Sequence, residues 1–359
     1  MKSIVIKAEQ LRKFCEETFQ RKGFNKEDSV FISDVIILSD LFGIDSHGIN
    51  RLKMYIQQLH SGYIDMQSQP EIVYQTPVSA VIDGKKGMGQ LVSRFAMNIA
   101  IEKAKLSGVA MVTVRNSNHY GIAGYYSLMA SNEGMIGISM TNSLAAIVPT
   151  HGVKPMLGTN PIAFSLPATA NPFLFDSATS VVSVGKIELY DQLNKPIPLG
   201  WGLNSEGFDE TNPKEVLKSV FTGASGLHPL GGGSEEMGSH KGYGFSMIVE
   251  ILTSIISLGA TSNHVEEKEG EAGVCHFFMV IDPKIFGNPT YIQRHFDNYL
   301  NEIRNSGKSV DQIRIYTHGE KEVESFLRRK ADGLVLSEKT LEDLRKIADE
   351  AGLDFGSYC

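Results

Sequence analysis

Short β-branched runs, separated by glycine and proline and alternating with helical segments, dominate the chain from about residue 77 onward. Alternating strands and helices are typical of α/β proteins, so this pattern predicts an α/β fold. Strands are expected at VSAVID, VAMVTVR, MIGISMT, IAFSLP, FLFDSATS and HFFMVID, with a long helix at 91–106.

The first 70 or so residues lack such runs and are typical of helices. One predicted helix ends at Gly23, a suitable C-cap, and Asn25 then caps a second one. A third is predicted from near Asp45 to Gly62. Further along we expect helices at 291–305, 321–330 and 338–350, a buried core helix at 242–260, long loops at 189–207 and 226–238, and an acidic loop at 266–273.

Charge, cysteine content and hydropathy exclude several classes of partner. The 41 acidic and 34 basic residues give a net charge of −7, and no basic block is available for nucleic acid. The three cysteines are far apart and form no CxxC spacing, which argues against disulfides and thiolate zinc sites. The apolar stretch at 242–260 contains Glu250, so we expect no membrane span. The N-terminal residues lack signal-peptide features, and a cytoplasmic location is expected.

One segment invites comparison with a dinucleotide-binding Rossmann unit and fails it. Gly84, Gly87 and Gly89 form G-x-x-G-x-G rather than G-x-G-x-x-G. The following strand ends in Arg115 and Asn116, where a ribose-binding acid is expected. A simple turn into a helix is the better interpretation. The sequence also lacks Walker A, G-x-S-x-G, H-E-x-x-H and EF-hand motifs.

The segment DSHGINRLKMY, residues 45–55, concentrates polar groups at helical spacing. His47, Arg51 and Tyr55 follow one another at i,i+4 and would share one helical face. A guanidinium there can bind a substrate carboxylate, while the histidine and tyrosine can donate hydrogen bonds near a reacting oxygen. A solvated helix face would show the same spacing, and on spacing alone that alternative is favoured.

The segment RNSNHYG, residues 115–121, follows a predicted strand. Ligands collect at strand ends of α/β sheets, and the imidazole of His119 has an ordinary pKa of about 6.5 that suits proton exchange with an alcohol or carbonyl. A histidine bonded to backbone in a tight turn is an equal alternative.

Polar residues also cluster at TNS (141–143), GTNP (158–161), DSATS (176–180) and SHKGYG (239–244). Small hydroxyl and amide side chains with exposed backbone amides can cradle phosphate or carboxamide groups, and Asp176 can accept from a ribose hydroxyl. His240 and Lys241 precede the apolar helix, where a phosphate would be stabilised. Taken singly, ordinary turns, caps and a surface lysine explain these clusters as well.

Together, and in this order along the chain, DSHGINR, NSNHYG, TNS, GTNP, D-x-x-T-S, GLHPLGG and HKGYGF resemble the type-2 malate/L-lactate dehydrogenase family, which also contains sulfolactate, ureidoglycolate and diketogulonate oxidoreductases. The resemblance implies a three-layer α/β fold without a Rossmann domain, in which helices flank a mixed β-sheet. It divides the chain into a helical N-terminal part (1–75) with substrate-site residues, an NAD(P)-binding core (76–318) and C-terminal helices (319–359) that pack on the N-terminal part. Homodimers are expected, in which each subunit helps to complete the other's site.

The resemblance also assigns roles to residues. His119 matches the catalytic acid/base and His47 a second catalytic histidine, while Arg51 matches the carboxylate clamp, with Tyr55 and Asn160 as further substrate contacts. NAD is expected as the cofactor, with NADP as the alternative, and no metal. Two positions depart from the family: Ser177 replaces a usual Met and Asn204 a common Asp. The matching cofactor-binding positions are Ser143, Asp176, Ser177, Ala178, His240, Lys241, Gly319 and Glu320.

The implied reaction interconverts a small 2-hydroxy acid and its 2-keto acid, with malate and oxaloacetate as the first expectation. Lactate, sulfolactate and ureidoglycolate share the carboxylate and the 2-oxygen and stay as alternatives. Two other classes compete: a metal-dependent hydrolase or lyase, which would bind metal, and a homologue that binds nucleotide without turnover.

Overall fold

The computed structural model describes residues 4–265 and 273–359, and the predicted acidic loop falls almost entirely outside them. Within the described residues the strands are β1 (Ile4–Ile6), β2 (Glu71–Thr76), β3 (Ser79–Asp83), β4 (Val109–Ser117), β5 (Ile136–Thr141), β6 (Ile162–Leu166), β7 (Phe173–Ser177), β8 (Val274–Ile281) and β9 (Leu334–Leu336). β1 and β9 form a small sheet, and the others form a seven-stranded sheet in the order β2-β3-β4-β8-β5-β6-β7. β3 and β4 are parallel and the remaining pairs are antiparallel, so the sheet is mixed.

The helices follow the predicted positions in most of the chain. The helices are α1 (Ala8–Lys22), α2 (Lys26–Leu41), α3 (Leu52–His60), α4 (Gly89–Ser107), α5 (Ala123–Asn132), α6 (Val184–Gln192), α7 (Pro213–Thr222), α8 (Ser239–Glu250), α9 (Pro289–Asn305), α10 (Glu320–Asp332) and α11 (Glu338–Ala351). A π-helical turn at Ile251–Ile255 continues α8.

The large sheet is the middle one of three layers. Helices α4 and α5 pack on one face, and α8 with the π turn packs on the other. Side chains of β8 alternate accordingly: Phe278 and Val280 face α4 and α5, whereas Phe277 contacts Val249 of α8. The predicted three-layer α/β fold with a mixed sheet is therefore confirmed.

A second core joins the two ends of the chain. Buried side chains of α1, α2 and α3 form one cluster with those of α11 and the last residues, and β9 pairs with β1. Phe14 at its centre meets Phe355 and Tyr358 edge to face, at 5.0 and 5.3 Å between ring centroids. The C-terminal elements thus pack against the N-terminal helices that precede and follow the 45–55 segment.

Several elements differ from prediction. The loop expected at 189–207 begins inside α6, and α7 was missed although Asn212 caps it and Pro213 opens it. The strands β1 and β9 were also missed, because three residues are too few for a clear period. β2 was missed because it is an edge strand whose side chains are mostly exposed and do not alternate between buried and exposed.

The predicted buried core helix at 242–260 is only half buried. Polar side chains such as Ser246, Glu250 and Ser254 face inward. The apolar side chains Phe245, Met247, Ile248, Ile251, Ile255 and Ile256 face outward, each between 39% and 52% exposed.

Candidate active site

Except for the 239–244 segment, the polar segments found in the sequence meet at one edge of the sheet. β4 and β5 both run antiparallel to β8, so they end at the same edge, where β7 also ends and β6 begins. A cleft of about 1010 Å³ opens there. Its lining includes His47, Arg51, His119, Ser143 and Asp176.

The 45–55 segment reaches this cleft in a different conformation from the single helix predicted. Residues Asp45–His47 and Ile49–Arg51 form separate 3₁₀ turns, and α3 starts only at Leu52. The break lies at Gly48, with φ −86° and ψ −146°, because the carboxylate of Asp40 accepts the N–H of Ile49 at 2.7 Å. A Cβ at Gly48 would lie 1.9 Å from Asp40 Oδ1, so any other residue would displace the carboxylate that bonds to Ile49.

A glycine also positions His119. At Gly89, where α4 begins, a Cβ would lie 2.3 Å from the carbonyl oxygens of both Asn118 and His119. Gly89 of the G-x-x-G-x-G pattern therefore allows close packing of α4 against the 115–121 segment, which is consistent with the rejection of a Rossmann unit.

His47 and His119 stack on each other inside the cleft. Their ring centroids are 5.4 Å apart with 24° between the planes. Nδ1 of His119 lies 2.7 Å from the hydroxyl of Tyr55, and Nδ1 of His47 lies 2.9 Å from that of Ser46. In each ring Nδ1 is occupied by protein, so Nε2 is the atom left for a ligand.

The electrostatics of the cleft keep both imidazoles neutral. Burial, followed by the positive charge of Arg51, lowers the pKa of His47 to about 4. Burial also lowers the pKa of His119 well below 6.5, and His47, Arg51 and His276 add to the effect. Bringing a carboxylate next to Arg51 would offset that charge and raise both pKa values.

Arg51 has the free donors that a carboxylate clamp needs. Its Nε donates to the backbone oxygen of Ser46 at 2.6 Å, which fixes the plane of the guanidinium. In the part of the chain that the structure describes, neither Nη atom makes a hydrogen bond or ion pair. Two parallel N–H groups are therefore available to a planar carboxylate.

Three of the predicted cofactor contacts, Asp176, Ser177 and Ala178, line the cleft together with Ser143. The carboxylate of Asp176 accepts the N–H of Gly124 at the start of α5, at 2.7 Å. Burial raises the pKa of Asp176 to about 6, the Gly124 N–H opposes the rise and Glu322 adds to it. One of its oxygens is engaged by α5, and the other stays available to a ligand hydroxyl.

Asn160 and Tyr55 do not line the cleft. Asn160 is fully buried and donates to the backbone oxygen of Ser246 at 3.1 Å and to the carboxylate of Glu250 at 2.9 Å. Both amide donors of Asn160 are thus used inside the core rather than toward the cleft. Tyr55 is also fully buried and reaches His119 rather than the open space.

The remaining predicted cofactor residues lie outside the cleft lining. His240 and Lys241 are exposed near the N-terminus of α8. Glu320 accepts from Arg304 at 2.6 Å and from Arg314 at 3.2 Å, while Gly319 caps α10. Within one subunit these four residues are not brought together with His119.

Two charged residues that line the cleft were missed in the sequence. Lys154 lies four positions before Gly158, the first residue of the GTNP segment, and Glu322 lies in the first turn of α10. Neither belongs to a recognisable motif, since a single lysine among 34 basic residues gives no signal of its own.

Residues 4–265 and 273–359 contain no group of three or more His, Cys, Asp or Glu side chains arranged to hold a metal ion. In the same part of the chain, no helix has the length and hydropathy required to cross a membrane.

Comparison with known proteins gives consistent matches over nearly the whole chain. The family model described as malate/L-lactate dehydrogenase matches residues 6–345. A malate dehydrogenase of Pyrococcus abyssi is 45% identical over 97% of this chain and 95% of its own length, and an L-sulfolactate dehydrogenase of Methanocaldococcus jannaschii is 34% identical over 99% of both. Among solved structures, malate dehydrogenase from Entamoeba histolytica superposes with a TM-score of 0.95 at 36% identity, covering 98% of this chain and 99% of that one.

Proposed function

The chain belongs to the malate/L-lactate dehydrogenase family, and we propose that it interconverts malate and oxaloacetate with NAD as the hydride carrier. It is an oxidoreductase that acts on a CH–OH group. The observation that carries the proposal is the convergence of His47, His119 and Arg51 in one cleft.

The residues present fit a nicotinamide nucleotide. A cleft of about 1010 Å³ has room for a dinucleotide beside a small acid, and Ser143 and Asp176 to Ala178 supply hydroxyl, carboxylate and backbone groups along it. Bound there, the nicotinamide ring accepts or supplies the hydride. We propose NAD over NADP because the carboxyl groups of Asp176 and Glu322 both line the cleft and would repel a 2′-phosphate.

The side chains of the cleft bind the substrate, transfer the proton and exclude water. Arg51 holds the C1 carboxylate with its two Nη atoms, which places the C2 oxygen near Nε2 of His119. In oxidation Nε2 takes the hydroxyl proton, and in reduction it returns that proton to the oxygen. The neutral ring of His47 packs against His119 and keeps water from that face.

The presence of Lys154 in the cleft favours a substrate with two negatively charged groups. Among the described residues, Arg51 and Lys154 are the arginine and lysine side chains that line the cleft. A second cation would pair with the C4 carboxylate of malate, whereas lactate offers no partner. Sulfolactate, which carries a sulfonate at the same end, is the second candidate that this residue favours.

We expect Lys154→Met to weaken binding of oxaloacetate while leaving pyruvate unaffected. Loss of one partly exposed ion pair costs up to about 1 kcal/mol, so KM for oxaloacetate should rise roughly 3- to 5-fold. The measurement is KM for both keto acids in wild type and variant. Lys195→Met, at an exposed loop position, is the control. Equal changes in KM for the two keto acids would argue that Lys154 does not bind the second carboxylate.

The first experiment is an absorbance assay of NADH and NADPH oxidation with purified protein. Oxaloacetate, 3-sulfopyruvate, pyruvate and other 2-keto acids are supplied in turn, followed by the hydroxy acids in the reverse direction, including ureidoglycolate. Fastest turnover of oxaloacetate with NADH supports the proposal. Preference for another acid would change the substrate, and the absence of turnover with all of them would favour a homologue that only binds nucleotide.

We further propose a homodimer formed through the outward apolar face of α8 and the π turn. Six apolar side chains face solvent there, from Phe245 to Ile256, and a continuous apolar face is rarely left uncovered. His240 and Lys241 begin the same helix, so a dimer would place them at the interface. In such a dimer His240 and Lys241 would contact the cofactor that is bound in the cleft of the partner subunit.

Ile248→Glu should convert the dimer into monomers, because it would bury a carboxylate in an apolar interface. Size-exclusion chromatography with light scattering measures the mass directly, with one chain contributing 39.4 kDa. Leu106→Glu, at an exposed apolar position at the end of α4, is the matched control. A variant that keeps the wild-type mass would place the interface elsewhere.

A further inference from the structure

His276 is a buried histidine that the proposed reaction does not use. Its ring is fully buried and does not line the cleft. It belongs to β8, the strand that lies between β4 and β5 in the sheet, and it pairs with Val114 of β4 and Thr141 of β5. His276 therefore lies between the two strands that lead into the 115–121 and 141–143 segments.

Both ring nitrogens of His276 contact hydroxyl groups at the ends of these neighbouring strands. Nε2 lies 2.8 Å from Oγ of Ser117, and Nδ1 lies 2.8 Å from Oγ1 of Thr141. Burial lowers the pKa of His276 to about 3, and the backbone of Asn118 opposes the shift, so the ring is neutral near pH 7. A neutral imidazole donates at one nitrogen and accepts at the other, and a hydroxyl does either. Both contacts are therefore hydrogen bonds in either tautomer, and the ring bridges β4 and β5.

The same ring also contacts the residue that follows His119. Tyr120 is fully buried and stacks on His276, with ring centroids 4.6 Å apart and 4° between the planes. Ser117 lies two residues before His119, and Tyr120 lies one residue after it. His276 thus contacts the chain on both sides of the proposed acid/base residue.

The end of β4 needs a side-chain contact because its backbone pairing with β8 is interrupted. The register shifts between Val114 and Ser117, and Asn116 in this stretch has φ 55°. An irregularity of this kind disrupts the ladder of hydrogen bonds and bends the strand. The contact between His276 and Ser117 crosses the interruption just before the chain reaches His119.

The end of β5 is anchored independently. Asn142 pairs twice with Cys275 of β8: its backbone N–H donates to the Cys275 oxygen at 3.1 Å, and its side-chain oxygen accepts the Cys275 N–H at 2.7 Å. Ser143, which lines the cleft, follows directly. His276 therefore connects the 115–121 segment to a fixed part of the cleft wall.

We propose that His276 is a positioning residue that sets the separation between His119 and Ser143 across the cleft. The inference rests on the proposed function, in which His119 exchanges a proton with the substrate and Ser143 contacts the cofactor. His276 reaches neither of these ligands and acts through Ser117 and Tyr120. A misplacement of about 1 Å between reacting groups can lower a rate by roughly 100-fold, so loss of the bridge should act on kcat.

His276→Phe should lower kcat about 10- to 100-fold with little change in KM for oxaloacetate, because Arg51 still binds the substrate carboxylate. Phenylalanine keeps a ring that stacks on Tyr120 but bonds to neither hydroxyl. The hydroxyls of Ser117 and Thr141 then stay buried without this partner, so the variant should also unfold at a lower temperature. Steady-state kinetics and thermal unfolding measure the two effects.

The triple variant Ser117→Ala/Thr141→Val/His276→Phe separates positioning from stability. Replacing all partners of buried hydrogen bonds by apolar groups of similar shape is nearly neutral, so Tm should return toward the wild-type value. kcat should stay low, because the bridge is still absent. Recovery of kcat together with Tm would mean that His276 acts through stability alone and would overturn the proposal.

His228→Phe is the matched control. His228 is also buried, its Nε2 lies 2.8 Å from Oδ1 of Asp209, and it does not line the cleft. Its replacement should leave kcat near the wild-type value. An equal loss of kcat in His228→Phe and His276→Phe would indicate a general effect on packing and would overturn the proposal, as would an unchanged kcat in His276→Phe.

Crystal structures of the wild type and the triple variant, both without substrate, separate this inference from the proposed reaction. The distance between His119 and Ser143 should differ between them by roughly 1 Å or more. An unchanged distance would overturn the inference whatever the enzyme turns over. A changed distance in a protein that reduces no keto acid would leave the role of His276 standing and remove the proposed function.

If His276→Phe and the triple variant do not fold, Ser117→Ala tests the β4 half of the bridge alone. It removes only the contact with Nε2 of His276, so kcat should fall with little change in KM. An unchanged kcat together with an unchanged distance between His119 and Ser143 in this variant would overturn the proposal.

Discussion

Replacing His119 with glutamine should lower kcat by roughly 10²- to 10⁴-fold in both directions, the usual size of a general acid/base contribution. Glutamine can still bond to the Tyr55 hydroxyl, 2.7 Å from the imidazole, and fills a similar volume. It cannot take up or release a proton near neutral pH. Steady-state rates of malate oxidation and oxaloacetate reduction measure the effect.

The control for His119→Gln is His295→Gln, an exposed histidine of α9 outside the cleft lining. Fluorescence titration with NADH should give a similar Kd for wild type and both variants, because His119 acts on the substrate oxygen. Near-normal turnover in His119→Gln would shift the acid/base role to His47, whose ring stacks on the same site at 5.4 Å.

The fold was largely predictable because its strands are long enough to show a period and are separated by clear turn residues. β4 and β8, at the centre of the sheet, coincide with the runs VAMVTVR and HFFMVID to within two residues at each end. α8 was misjudged because its sequence is apolar on average, and average hydropathy does not reveal which side faces the core. Here the polar side, with Glu250 and Ser254, faces inward and the apolar side faces out.

The convergence of side chains in the cleft was predictable where short polar motifs supply them, as for His47 and Arg51 from one motif and His119 from another. Spacing predicted that His47 and Arg51 lie together, and both line the cleft, but they do not share one helix, because the carboxylate of Asp40 accepts the N–H of Ile49 and the expected helix breaks at Gly48. Tertiary contacts of this kind leave no local pattern in the sequence.

The same limit explains why some predicted site residues lie outside the cleft lining. Asn160 belongs to a polar motif, but the carboxylate of Glu250, 90 positions later, draws its amide into the core at 2.9 Å. Glu320 stood out beside Gly319, yet two arginines engage it, and Glu322, half a helical turn further along α10, reaches the cleft instead. Which of two nearby carboxylates turns toward a ligand depends on partners that only the folded chain brings together.

Arg51→Met should lower kcat/KM for oxaloacetate by roughly 30-fold to several thousand-fold, because removing one partner of a desolvated charge pair costs about 2–5 kcal/mol. Both KM and kcat should change, since the clamp binds the C1 carboxylate and also aims the C2 oxygen at His119. Arg51→Lys is the matched variant: it keeps the charge without the two-pronged geometry, so its kcat/KM should fall between the other two.

A second readout separates a clamp from a merely structural role for Arg51. Its positive charge contributes to the lowered pKa of both His47 and His119. In Arg51→Met the two pKa values should therefore rise, and histidine NMR titration of the substrate-free protein would detect the shift. Raised pKa values with unchanged KM and kcat would show that Arg51 faces the histidines without binding the substrate, and the carboxylate clamp would then have to be sought at Lys154.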